Sequence, residues 1–106
     1  MEKSPMAQVI ENQAQIQGQI QTIGEHPSLP GYDVVSLLLM SSQPVPGKVN
    51  LLSQPVGTSL NLTVKHSLLA EAKVGFYLRC RAKLVPDGAM CEKEPEPGTF
   101  TIGHQP

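Results

Sequence analysis

The clearest pattern in the chain is an alternation of apolar and polar positions over residues 74–85. One phase is apolar and the other is mostly polar: Val74, Phe76, Leu78, Cys80, Ala82 and Leu84 against Gly75, Tyr77, Arg79, Arg81, Lys83 and Val85. Successive side chains of a strand point to opposite faces of a sheet, so this period of two predicts a long strand. We expect its apolar phase to face the core.

Other segments between residue 32 and the C-terminus also have strand character. Residues 32–41 are apolar on both phases, which is typical of a strand covered on two sides. Residues 59–66 alternate, and shorter strands are expected near residues 48–53, 89–92 and 99–102. Proline- and glycine-rich turns separate them. The pattern predicts a mainly β body, a five- to six-stranded antiparallel sandwich or small barrel. The apolar phase of residues 59–66 supplies further core candidates: Leu60, Leu62 and Val64.

The N-terminal arm, residues 4–23, fits two structures. As a helix it has Pro5 in the favoured first position and Gly24 as its stop. Its heptad seam is apolar at five of six positions: Met6, Val9, Gln13, Ile16, Ile20 and Ile23. As a strand it has glutamine at every odd position from Gln13 to Gln21. Glutamine favours helices, so we expect an α-helical arm.

These patterns divide the chain into three parts. We expect an N-terminal glutamine-rich helical arm over residues 1–25 and a proline/glycine linker over residues 26–31. The β body with its C-terminal tail then covers residues 32–106. The linker contains Pro27, Pro30 and Gly31, and each proline restricts the preceding residue to extended conformations.

Composition narrows the classes of function. With 106 residues the chain has the size of one domain. Charged residues are 16% of the total, against about 25% in typical proteins. Such a low value indicates a surface partly covered by a partner. The net charge of −1 and the absence of tryptophan disfavour a strong nucleic-acid platform.

Candidate reactive residues show no catalytic or metal-binding spacing. His26, His66, His104, Cys80 and Cys91 match no zinc pattern, and two cysteines make no disulfide framework. No phosphate loop or nucleophile motif is present. We therefore expect no enzyme activity, no metal and no cofactor. Neither a signal peptide nor a membrane-spanning apolar run is found, so we expect a cytoplasmic protein or part of a virus particle assembled there.

The first functional hypothesis is a structural protein that assembles through the arm. Isoleucine at both seam positions favours bundles of three or more helices, so the partner is a further copy, as a trimer or larger, or a larger protein assembly. The alternative is that the stripe packs on the chain's own β body. An uncharged arm before a compact β body resembles, in layout alone, small phage virion proteins such as capsid-decoration or tail-fibre proteins.

The second hypothesis is a module that binds an anionic partner, such as nucleic acid. Its candidate residues share the polar phase of residues 74–85: Tyr77, Arg79, Arg81 and Lys83. Three cations and an aromatic ring on one face can meet a phosphate backbone. The alternatives are an ordinary solvated face or pairing with the acidic loop that follows, residues 92–98.

Overall fold

Strands are the main regular structure of the chain, as a computed structural model of residues 11–86 and 88–106 shows. Its elements are β1 (Ala14–Glu25), β2 (Tyr32–Pro44), β3 (Ser59–Lys65), α1 (His66–Leu69), β4 (Tyr77–Val85), β5 (Gly88–Cys91) and β6 (Thr101–Gly103). The prediction of a mainly β protein is confirmed. Residues 48–53, expected as a strand, contribute a single bridge from Val49 to Asn12.

Five of the strands close into a barrel. Antiparallel pairs join β1 to β2, β2 to β3 and β4 to β5, while β1 also pairs with β4. Between β3 and β5 the pairing is parallel, through Leu62 with Ala89 and Thr63 with Met90. Strand β6 is additional and pairs with the start of β4. Of the two architectures predicted, the barrel is the one formed.

The expected helix over residues 14–23 is wrong, because this segment is strand β1. It pairs with β2 along its whole length, from Ala14 with Pro44 to Glu25 with Asp33, and with β4 over residues 14–19. These partners satisfy its backbone and bury every second residue from Ala14 to Ile20, which outweighs the helix propensity of glutamine. Residues 26–31 connect β1 to β2 within the barrel. The part of the arm before residue 11 lies outside the described residues.

A close approach between β1 and β2 requires glycine at position 18. The register between the two strands shifts between Gln17 and Gly18. A Cβ atom on Gly18 would lie 2.4 Å from the carbonyl oxygen of Leu38 and 2.6 Å from Cγ of Leu37. No side chain fits in that space without a shift of backbone.

The core fills the inside of the barrel. Most of the predicted core residues are buried there: Leu60, Leu62, Val64, Leu78, Cys80 and Ala82. Phe76 is partly buried against this cluster. Val74 and Leu84, however, are 61% and 44% exposed. Val74 precedes β4, and Leu84 lies past Ala82, the last β4 residue that β1 covers.

The two cysteines, Cys80 and Cys91, are buried inside the barrel as free thiols. A hydrogen bond between the two side chains, together with burial, raises the pKa of Cys80 well above its usual value. A thiol reacts as its thiolate, so both the high pKa and the burial make Cys80 unreactive. We assign this residue to packing.

Candidate functional site

Two polar rows lie side by side on the outer face of the barrel. The β1–β4 register sets Gln15 opposite Arg81, Gln17 opposite Arg79 and Gln19 opposite Tyr77. Alternation along both strands sends the apolar side chains inward and leaves these six at the surface. The cationic row predicted from the sequence thus has a row of amides next to it.

A groove of about 580 Å³ is lined by four of these six residues: Gln15, Gln17, Tyr77 and Arg79. We call it the amide groove and define it by Gln15, Gln17, Gln43, Tyr77 and Arg79. Its other walls come from the end of β2 and the C-terminal residues: Ser41, Leu78, Thr101, Ile102, Gly103, Gln105 and Pro106. Amides offer both donors and acceptors, the guanidinium offers donors only, and the phenol ring offers a flat apolar surface. The groove can therefore hydrogen-bond a polar ligand, pair with an anion and stack on a ring.

The cations of β4 differ in their surroundings. Arg79 is exposed and has no carboxylate partner among residues 11–86 and 88–106. Arg81 is paired: its NH1 lies 3.0 Å from Oε1 of Glu96, and its side chain is 26% exposed. Lys83 is exposed in a separate cleft that Glu92 and Glu94 also line. The predicted alternative of pairing with the acidic loop is thus confirmed for Arg81.

A cluster of incompletely paired polar groups surrounds Arg81. Gln15 lies on one side of it, and Glu92, whose backbone N–H donates to the carbonyl oxygen of Arg81, lies on the other. Gln13 Nε2 donates to Glu92 Oε2 at 3.0 Å. Three buried atoms still have no partner in the described part of the chain: Gln15 Nε2, Arg81 Nε and Glu92 Oε1. A buried polar atom without a partner costs about 1–3 kcal/mol, so the cluster lowers the stability of the fold.

The seam residues predicted for assembly do not form a surface stripe. Ile16 and Ile20 are 0% and 1% exposed inside the barrel, and Ile23 packs partly buried against the core. The side chain of Gln13 is hydrogen-bonded to Glu92. The alternative, in which the isoleucines pack on the chain's own β body, describes their burial correctly. Met6 and Val9 lie outside the described residues.

A second polar cluster lies where β2 and α1 meet. His66 Nδ1 is 2.7 Å from Oδ2 of Asp33, which is 5% exposed. His26 lines the same cleft, of about 360 Å³, and its Nδ1 accepts backbone N–H bonds from Ser28 and Leu29. Over residues 11–86 and 88–106 no group of three or more metal-ligating side chains comes together. The His66–Asp33 pair ties α1 to the sheet.

Comparison of the chain with protein-family models, with curated proteins and with solved structures finds no match. Within the described residues, no helix has both the length and the apolar character needed to cross a membrane.

The amide half of the groove escaped the sequence analysis. The helix expected over residues 4–23 includes Gln15 and Gln17, so it gives them no partner strand. The alternation of glutamine with apolar residues was the available signal for β1, since it places all odd positions on one face. Nothing local in the sequence indicates that this face adjoins β4.

Proposed function

We propose that the protein is a non-enzymatic binding module that holds an anionic polymer, such as single-stranded nucleic acid, along the amide groove. One observation carries this proposal: Arg79, Tyr77 and the glutamine amides line the same open groove. A guanidinium pairs with phosphate, amides read the polar edges of bases, and an aromatic ring stacks on a base.

The net charge of −1 gives the protein no overall attraction for an anionic polymer, so the strength of binding depends on the cations in the groove. Arg79 is the β4 cation that lines the groove, because Arg81 is paired with Glu96 and Lys83 lies in a separate cleft. Each phosphate contact on a single strand contributes a slope of about −0.7 to log K against log salt. With one such contact we expect a dissociation constant of about 10⁻⁴ M, at the weak end of non-specific binding. We expect a weak, salt-sensitive binder.

The barrel itself supports a binding role by analogy. Its five strands with a non-sequential closure resemble the OB-fold, a five-stranded barrel that binds oligonucleotides and oligosaccharides on its outer face. In that fold the ligand lies on strands 2 and 3, whereas the amide groove lies on β1 and β4. The analogy therefore favours binding on a barrel face and assigns no residue.

The test is fluorescence anisotropy of a labelled single-stranded oligonucleotide at low salt. Arg79→Glu is expected to weaken binding by about tenfold or more, because it places a negative charge in the groove. Lys65→Glu changes the net charge equally on β3, outside the groove, and serves as the control. Equal affinities of the two variants would show that the groove does not hold the polymer.

A second candidate function is assembly, through a surface other than the seam residues predicted from the sequence. Exposed large apolar side chains concentrate in residues 40–56, at the end of β2 and in the β2–β3 connection. Four of the six in the described chain lie there: Met40 at 37%, Val49 at 49%, Leu51 at 43% and Val56 at 71%. Exposed apolar side chains that form one surface patch favour protein contacts. We propose that they join copies of this chain or dock it on a larger assembly, with a virus particle formed in the cytoplasm as the setting.

Analytical ultracentrifugation tests this assembly proposal. Leu51→Lys combined with Val56→Lys is expected to shift the chain from oligomer to monomer, because two charges would enter an apolar interface. Val74→Lys is the matched control, since Val74 is 61% exposed but lies outside residues 40–56. A wild-type protein that sediments as a monomer at high concentration would contradict assembly between copies of this chain.

A further inference from the structure

We propose that the acidic loop, residues 92–98, is an internal competitor for the anionic ligand. Its Glu96 carboxylate lies 3.0 Å from the guanidinium of Arg81, the cross-strand partner of Gln15 in the groove wall. This inference rests on the proposed binding function and adds its regulation. A guanidinium binds carboxylate and phosphate with the same donor geometry, so the two anions exclude each other at Arg81.

A stiff turn positions the competing carboxylate. The backbone N–H of Thr99 donates to the carbonyl oxygen of Glu96 at 3.0 Å, and its hydroxyl donates to the same oxygen at 2.7 Å. Pro97 occupies the second position of this turn, and Gly98 has φ +84° in the third. These are the residues that a type II turn requires. The loop therefore presents Glu96 without having to become ordered first.

The pair is also exposed enough to be exchanged. The Glu96 side chain is 72% exposed, so water and a ligand can reach the carboxylate. Exposed ion pairs contribute little to folding, so opening this one leaves the barrel intact. Arg79 and Arg81 project from the same face of β4, about 6.8 Å apart along the strand. Release of Arg81 would thus place a second free cation beside Arg79.

The hydrogen bonding around Arg81 is consistent with this exchange. Arg81 Nε and Gln15 Nε2 are donors without acceptors among the described residues. Both lie in one cross-strand row, since Gln15 is paired with Arg81. The acidic loop satisfies only NH1 of the guanidinium. An anion that replaces Glu96 therefore has to match only one hydrogen bond at the guanidinium.

Glu96→Gln is the decisive variant, measured with the same labelled oligonucleotide. It is expected to raise the affinity about two- to fivefold, the range that an exposed ion pair can suppress. Glu94→Gln is the matched control, because it makes the same change of charge in the same loop at an exposed residue without a described contact to Arg81. The control is expected to bind within measurement error of the wild type.

The Arg81→Gln variant shows whether Glu96→Gln raises the affinity by releasing Arg81. With Arg81→Gln already present, the gain from Glu96→Gln should disappear, because the cation it releases is gone. Equal affinities of Glu96→Gln and Glu94→Gln, with a wild type that binds, would overturn the competition and leave the binding function standing. Absence of binding by every variant, Glu96→Gln included, would overturn the binding function itself.

Discussion

Ile16→Asp is expected to unfold the whole chain. Ile16 is fully buried, and it lies between Ser42 of β2 and Cys80 of β4. A carboxylate at this position would be surrounded by apolar side chains at a cost of several kcal/mol. Small domains are stable by only about 5–15 kcal/mol, so most of that stability is lost. Circular dichroism and urea unfolding would detect the change.

Two further variants make this result interpretable. Ile16→Ala is expected to lower the free energy of unfolding by about 2–5 kcal/mol while keeping the fold. Gln17→Asp places the same carboxylate at the next position, which faces the outer surface opposite Arg79, and should stay folded. If Ile16→Asp kept a cooperative unfolding transition of wild-type midpoint, β1 would not belong to the barrel.

Gly18→Ala is expected to destabilise the protein by about 1–3 kcal/mol or more, although it adds one methyl group. The new Cβ would lie 2.4 Å from the Leu38 carbonyl oxygen, so β1 and β2 must move apart. Gly24→Ala on the same strand is the control, because no atom lies within 4 Å of its Cβ. That variant should be neutral or more stable by up to about 1 kcal/mol.

Chemical unfolding of the two glycine variants measures this difference directly. Both variants replace glycine with alanine on β1, so the general effect of that replacement is the same in each. The difference between their free energies of unfolding reports the close approach to β2. Equal free energies of unfolding for Gly18→Ala and Gly24→Ala would show that the two strands do not approach each other at Leu38.

The strand pattern over residues 74–85 predicted β4 well, because alternation depends only on neighbouring residues. Leu78, Cys80 and Ala82 point inward as expected. The ends were less accurate, since Val74 and Leu84 are exposed where β1 no longer covers them. The extent of a strand depends on its partners, which lie far away in the sequence.

The error at β1 has a similar origin. Residues 14–23 carry both a heptad seam and a period of two, and glutamine propensity favours the helix. Pairing with β2 and β4 stabilises the strand, and the sequence of the arm alone does not predict either partner. Ile16 and Ile20 were expected to be buried in a seam, and they are buried inside the barrel instead.

The candidate site was only half predictable for the same reason. Tyr77, Arg79, Arg81 and Lys83 form an outward row because they share one phase of β4. Their neighbours Gln15 and Gln17 come from a strand about 60 residues earlier, through a register that no local motif encodes. Pairing of the row with the acidic loop was one of the expected alternatives, because the loop follows β4 closely in the sequence, and the Glu96–Arg81 contact is such a pair.

The pairing of β1 on both edges has a consequence for synthesis on the ribosome. One partner, β2, follows β1 directly, but β4 is translated only after β3 and α1. Until then, the β1 edge that will receive β4 presents free N–H and C=O groups, and such edges pair with other chains. Nascent chains that end before Tyr77 are therefore the aggregation-prone species, and chaperones should bind them in preference to the completed protein.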